Sequence, residues 1–121
     1  MNLYESSEDY LETILMIKEE KGYVKSIDIA EHLHFSKPSV SIAMKKLLEN
    51  GYIVIGKNGH IELTEKGSEV ASKTYDRHKI LTKVFISLGI DKDVAAKDAC
   101  KVEHDLSEET FQAIKKYSET I

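Results

Sequence analysis

The sequence has 121 residues, 41% of them apolar and 31% charged, with a formal net charge of −4. That length suits one compact unit or two small modules sharing a core. Apolar runs of only a few residues predict no membrane span. The opening MNLYESSEDY lacks a basic-then-apolar leader pattern, and the single cysteine, Cys100, cannot form an internal disulfide; a cytoplasmic protein is expected.

In chain order, Ser6 or Ser7 is placed to cap a first helix through DYLETILMIKEEKG. Its inner face carries Tyr10, Leu11, Ile14, Leu15 and Ile17, and Gly22 ends it. A short helix starts at Ser26, with Ile27, Ala30 and Leu33 expected on one face. His34 and Phe35 form a turn. Ser36 caps a third helix, KPSVSIAMKKLLEN, with Pro38 in its first turn, where a missing N–H does no harm. Val40, Met44 and Leu47 line its inner side, and Asn50-Gly51 closes it. YIVIGKNGHIEL then reads as a β-hairpin around Asn58-Gly59.

Three helices followed by a hairpin predict a winged helix-turn-helix over residues 1–63. Charge is distributed to match. Met1 to Glu20 holds six acidic residues and one lysine, whereas Ser36 to His60 holds four lysines and one glutamate. A local basic patch matters more for DNA than the whole-chain balance. Ser36, Lys37, Ser39 and Ser41 are expected at bases or phosphates, and Lys45, Lys46 and Lys57 at phosphates. Any of these residues taken singly is equally an ordinary solvated side chain.

Thr64 caps a long helix of about 64–88, EKGSEVASKTYDRHKILTKVFISLG. It has Val70, Thr74, His78, Leu81, Phe85 and Leu88 down one side and Gly89 at its end. Asp91 opens a fifth helix, KDVAAKDACKVEHDL, and Ser107 a sixth. The fold class is mainly α, with a helical module over residues 64–121. Its apolar positions, among them Val84, Val94, Val102, Leu106 and Phe111, are too few to bury a core alone, so a homodimer is expected.

Cys100, Glu103 and His104 stand at i, i+3 and i+4 and share one helix face. Asp9 and Glu12 stand at i and i+3 on the first helix, and His78 lies on the long one. Carboxylate and imidazole suit Mn(II) or Fe(II), and a thiolate favours softer or later metals. Each residue also has a plain structural use: a buried thiol, a hydrogen-bonded histidine, carboxylates near a helix N-terminus. Spacing alone leaves both readings open.

Taken together, EDYLETILMIKEEKGY, SIDIAEHL, SKPSVSIAMKKLLENGYI, LTEKG, YDRHKIL and ACKVEHDLS resemble the diphtheria toxin repressor and manganese transport regulator family, over nearly the whole chain. The resemblance implies a homodimeric, metal-activated transcriptional repressor that binds double-stranded operator DNA and controls manganese or iron homeostasis. Carried over by motif, its metal ligands are Asp9, Glu12, His78, Cys100, Glu103 and His104. The implied ion is Mn(II) or Fe(II), with Co(II), Zn(II) or Ni(II) as surrogates.

The departures are informative. The manganese branch has glutamate where Cys100 stands, and the iron branch has methionine where Asp9 stands, so this chain combines the two. Ala96 and Thr82 replace the histidine and glutamate of the iron branch's ancillary site, which is therefore not expected in its usual form. Three rival classes compete with this reading. A winged-helix regulator answering a small organic ligand would leave the acidic and histidine cluster incidental. A metallohydrolase would need an open coordination position in a cleft, for which no segment speaks. A pure interaction module would bind no operator. The leading expectation is a non-enzymatic repressor with no organic substrate.

Overall fold

A computed structural model describes residues 5–121 of the chain. The elements are α1 (Glu5–Lys21), α2 (Ser26–Leu33), α3 (Lys37–Glu49), β1 (Ile53–Ile55), β2 (Ile61–Leu63), α4 (Glu65–Ser87), α5 (Lys92–Val102) and α6 (Glu108–Ser118). Packing divides the chain inside α4: one compact unit ends at Ser72 and the other spans Lys73–Ile121.

The first unit has an apolar core. Leu11 and Ile14 from α1, Ile29 from α2, and Val40, Met44 and Leu47 from α3 are buried together with Ile53 and Ile61 from the strands. Each such side chain contributes about 1.5–3 kcal/mol on burial. The strands pair antiparallel with Ile53 opposite Leu63 and Ile55 opposite Ile61. The tip turns at Gly59, whose φ of 75° suits a residue without a Cβ.

Helix ends follow local chemistry. Ser36 Oγ accepts from Ser39 N at 3.3 Å and caps α3. Asp28 Oδ2 accepts from Lys25 N at 2.9 Å, and Lys21 Nζ donates to Asp28 Oδ1 at 2.7 Å, closing the start of α2 onto the end of α1. The hydrogen bond from Lys21 is the main reason the Asp28 carboxyl lies below the usual aspartate value. Thr64 binds both ways: its hydroxyl donates to Gly51 O at 2.6 Å and accepts from Gly67 N at 3.2 Å. Gly67 lies so close to the Tyr52 carbonyl that a Cβ there would collide with it.

Three expectations need correction. Ser6 and Ser7 lie within α1 and do not cap it. On α2 the buried residue is Ile29, at 0% exposure, and Ile27 is 38% exposed. The inner stripe is Ile29, Ala30 and Leu33; Ile27, two positions before Ile29, falls about 200° around the helix. Finally, α5 stops at Val102 instead of running on through Leu106. Glu103 is its C-cap, and its N–H still donates to Ala99 O at 2.9 Å.

The second unit contains few buried apolar residues. Leu81, Ala95, Ala99 and Phe111 are buried, and beside them lie Thr74, Arg77, Glu103 and Ser118. Leu88 and Val94, expected inside, are 67% and 49% exposed. Ile86 and Tyr117 are exposed as well.

Candidate metal centre

Glu103 is the focus of the second unit. Its residue is 1% exposed. His78 Nδ1, from α4, lies 3.0 Å from Glu103 Oε2. His104 Nε2 lies 3.4 Å from Oε1, which receives no hydrogen bond among the described residues. A carboxylate taken out of water with an unsatisfied oxygen is costly unless positive charge reaches it. Cys100, half-buried, stands one turn earlier on α5. One unit therefore supplies a carboxylate and two imidazoles in contact, with a thiol on the same helix face as the carboxylate. Those are donors for a divalent transition metal, and the sulfur tilts them toward the softer or later ions.

Asp9 and Glu12 lie one turn apart on α1 in the first unit, Asp9 half-buried and Glu12 buried at 5% exposure. The six predicted ligands thus fall on two compact units: two on the first and four on the second. Within the second, His78, Glu103 and His104 are brought into direct contact.

Arg77, the arginine of YDRHK to which the sequence assigned no role, is the other organising residue here. It is 7% exposed. Its Nη1 donates to Glu103 O at 3.1 Å and to Leu106 O at 2.8 Å, and Nη2 donates to Glu108 Oε2 at 2.9 Å. Its position immediately before His78 was the only signal in the sequence. Glu108 also accepts from Gln112 Nε2, and these donors, Gln112 first, hold its carboxyl below the usual glutamate value.

On the first unit, Ser36, Lys37, Ser39 and Ser41 are all exposed at the N-terminal end of α3, and Lys45 and Lys46 are exposed further along it. Lys57 is exposed in the turn between the strands. Ser36 Oγ also donates to Ser39 Oγ at 2.8 Å, so the cap and its neighbour form a hydroxyl pair. No helix among the described residues is long and apolar enough to cross a membrane.

Comparison with known proteins supplies the family. Residues 2–61 match "Iron dependent repressor, N-terminal DNA binding domain", and residues 64–121 match "Iron dependent repressor, metal binding and dimerisation domain". An uncharacterised HTH-type transcriptional regulator of Methanocaldococcus jannaschii is 41% identical over 118 residues, covering 95% of this chain and 94% of that protein. The HTH-type transcriptional regulator MntR of Bacillus subtilis is 36% identical over 102 residues, covering 84% of this chain and 72% of MntR. Among solved structures, a manganese-dependent transcriptional repressor in complex with manganese superposes with a TM-score of 0.84 at 26% identity. That match covers 93% of this chain and 52% of the other, so the chain spans about half the length of that solved regulator. With both family domains matched in order, the chain belongs to the iron-dependent repressor family, the metal-dependent transcriptional repressors that include the diphtheria toxin repressor and the manganese transport regulator.

Proposed function

We propose that this chain is a metal-activated transcriptional repressor that acts in the cytoplasm as a homodimer on double-stranded operator DNA. Its role is manganese or iron homeostasis, and it carries out no catalysis. The observation that supports this most directly is the buried Glu103 carboxylate between the His78 and His104 imidazoles, with one oxygen lacking a hydrogen bond. The proposed ligands are Asp9, Glu12, His78, Cys100, Glu103 and His104. A bound divalent cation supplies the positive charge that lets these carboxylates share one site. Asp9 and Glu12 then tie α1 to α4 and α5, and the winged unit loses freedom relative to its dimer partner. Spacings that match two half-sites become populated. At the DNA, Ser36, Lys37, Ser39 and Ser41 face bases or phosphates, and Lys45, Lys46 and Lys57 hold phosphates.

The test is a paired titration. A duplex selected from a random pool in the presence of Mn(II) is titrated with the protein, with metal and with chelator. Coupling of ~1–3 kcal/mol predicts a gain of about 5–150-fold in DNA affinity on metal addition. Equal affinity in both conditions would overturn the activation mechanism. In the Co(II) arm, a sulfur-to-cobalt charge-transfer band is expected, and Cys100→Ser should abolish it. A band that survives the substitution removes Cys100 from the ligand set.

A further inference from the structure

We propose that Arg77 is a positioning residue for the metal centre, its guanidinium clamping the turn that carries Glu103 and His104. This inference rests on the metal-binding reading above. Helix α5 ends at Val102, and the last carbonyls of any helix lack partners within it. In this chain the carbonyls of Glu103, the C-cap, and of Leu106, in the following turn, are both taken by Nη1 of Arg77, at 3.1 and 2.8 Å. The other end of the same guanidinium reaches Glu108 in the first turn of α6, at 2.9 Å. The cation also lies over the Phe111 ring, 5.0 Å from its centroid.

One planar fork therefore joins the end of α5, the turn after it and the start of α6. Of the proposed ligands, Glu103 is itself one of its points of attachment, and His104 follows directly, before Leu106. Arg77 also precedes His78 on α4, so the clamp and a third ligand share one helical turn. A buried arginine is costly to keep, and this one leaves its Nε without a hydrogen bond. The two carbonyl bonds give it a purpose that a surface ion pair would not. Lysine cannot reproduce the geometry, because its ammonium is a point donor on a flexible stem and not a rigid fork.

The experiment compares the parent chain, Arg77→Lys, Arg77→Gln and Glu108→Gln. The readouts are Co(II) affinity, the Co(II) absorption spectrum and the thermal midpoint of the metal-free protein. Arg77→Lys and Arg77→Gln should weaken Co(II) binding by about 10–100-fold, the usual loss when support around metal ligands is removed. The cobalt bands should shift with it, since Glu103 and His104 no longer hold their angles. Glu108→Gln keeps the carbonyl clamp and should change Co(II) affinity by less than about fivefold, in line with an exposed ion pair. Parent-like affinity and spectrum in both Arg77 variants, with only a lowered midpoint, would overturn the clamp and leave the metal site standing. So would a loss in Glu108→Gln as large as in the Arg77 variants, a comparison open even if an Arg77 variant fails to fold. Absence of Co(II) binding by the parent would instead overturn the metal-site reading, and the clamp with it.

Discussion

Among the described residues of the winged unit, fourteen buried apolar ones form one cluster, from Tyr10 on α1 to Ala71 on α4. In the second unit the buried apolar residues are Leu81, Ala95, Ala99 and Phe111, and four polar ones, Thr74, Arg77, Glu103 and Ser118, are buried with them. Apolar burial is non-directional and depends on the area removed from water. A polar interior is directional: it holds one geometry when every group is satisfied and strains when one is not. The first unit is therefore held mainly by apolar packing, whereas the second depends on pairing its buried polar groups. Alanine at Ala95 and Ala99 leaves little side-chain volume on the buried face of α5.

The comparison breaks most severely at Ile29. Ile29→Ala removes a fully buried side chain from the winged core and should cost about 2–5 kcal/mol, alike with Mn(II) and with chelator. Urea unfolding followed by circular dichroism measures it; a cost much smaller than this would deny the core its role.

Glu103→Gln sharpens the contrast. It keeps an acceptor for His78 and removes the buried charge, so the metal-free protein should be as stable as the parent or more so. The stabilisation by metal, about 2.7 kcal/mol at a hundredfold excess over Kd for a one-site protein, should vanish. A metal-induced rise in midpoint equal to the parent's would exclude Glu103 as a ligand.

The smallest effect belongs to Asp28 in the winged unit. Its carboxyl is held below the ordinary value of 3.8, chiefly by the Lys21 hydrogen bond. A depressed folded value means that the stabilisation is present above about pH 4 and is lost as pH falls through the folded value. Asp28→Asn should cost about 0.2–1 kcal/mol at neutral pH and flatten the acid side of the stability profile. A parent-like slope below pH 4 would assign that slope to other carboxylates.

Much of the winged unit was legible because its signals are local. Ser36 before Pro38, Asn58-Gly59 between alternating apolar residues, and Val40, Met44 and Leu47 at helical spacing each involve neighbours in the chain. The face of α2 was misread because an eight-residue helix with Ile27, Ile29, Ala30 and Leu33 offers apolar residues on most sides. The end of α5 was not legible, because what takes up the carbonyl of its C-cap, Glu103, is a guanidinium 26 residues away in sequence. The same holds for the candidate centre. Spacing showed that Glu103 and His104 belong near Cys100, but contact between Glu103 and His78 is a product of folding.

The start of α4, beyond β2, belongs to the winged unit. The Thr64 N–H donates to Tyr52 O at 3.1 Å, the Thr64 hydroxyl bridges Gly51 and Gly67, and Lys66 Nζ donates to Asn50 O at 3.2 Å. Ala71, still further along, is 0% exposed within the winged core. The first two turns of α4 are therefore expected to open with the hairpin and α3, so that their amide protons exchange with solvent at that unit's rate. The helix is continuous, while compact packing divides the chain between Ser72 and Lys73.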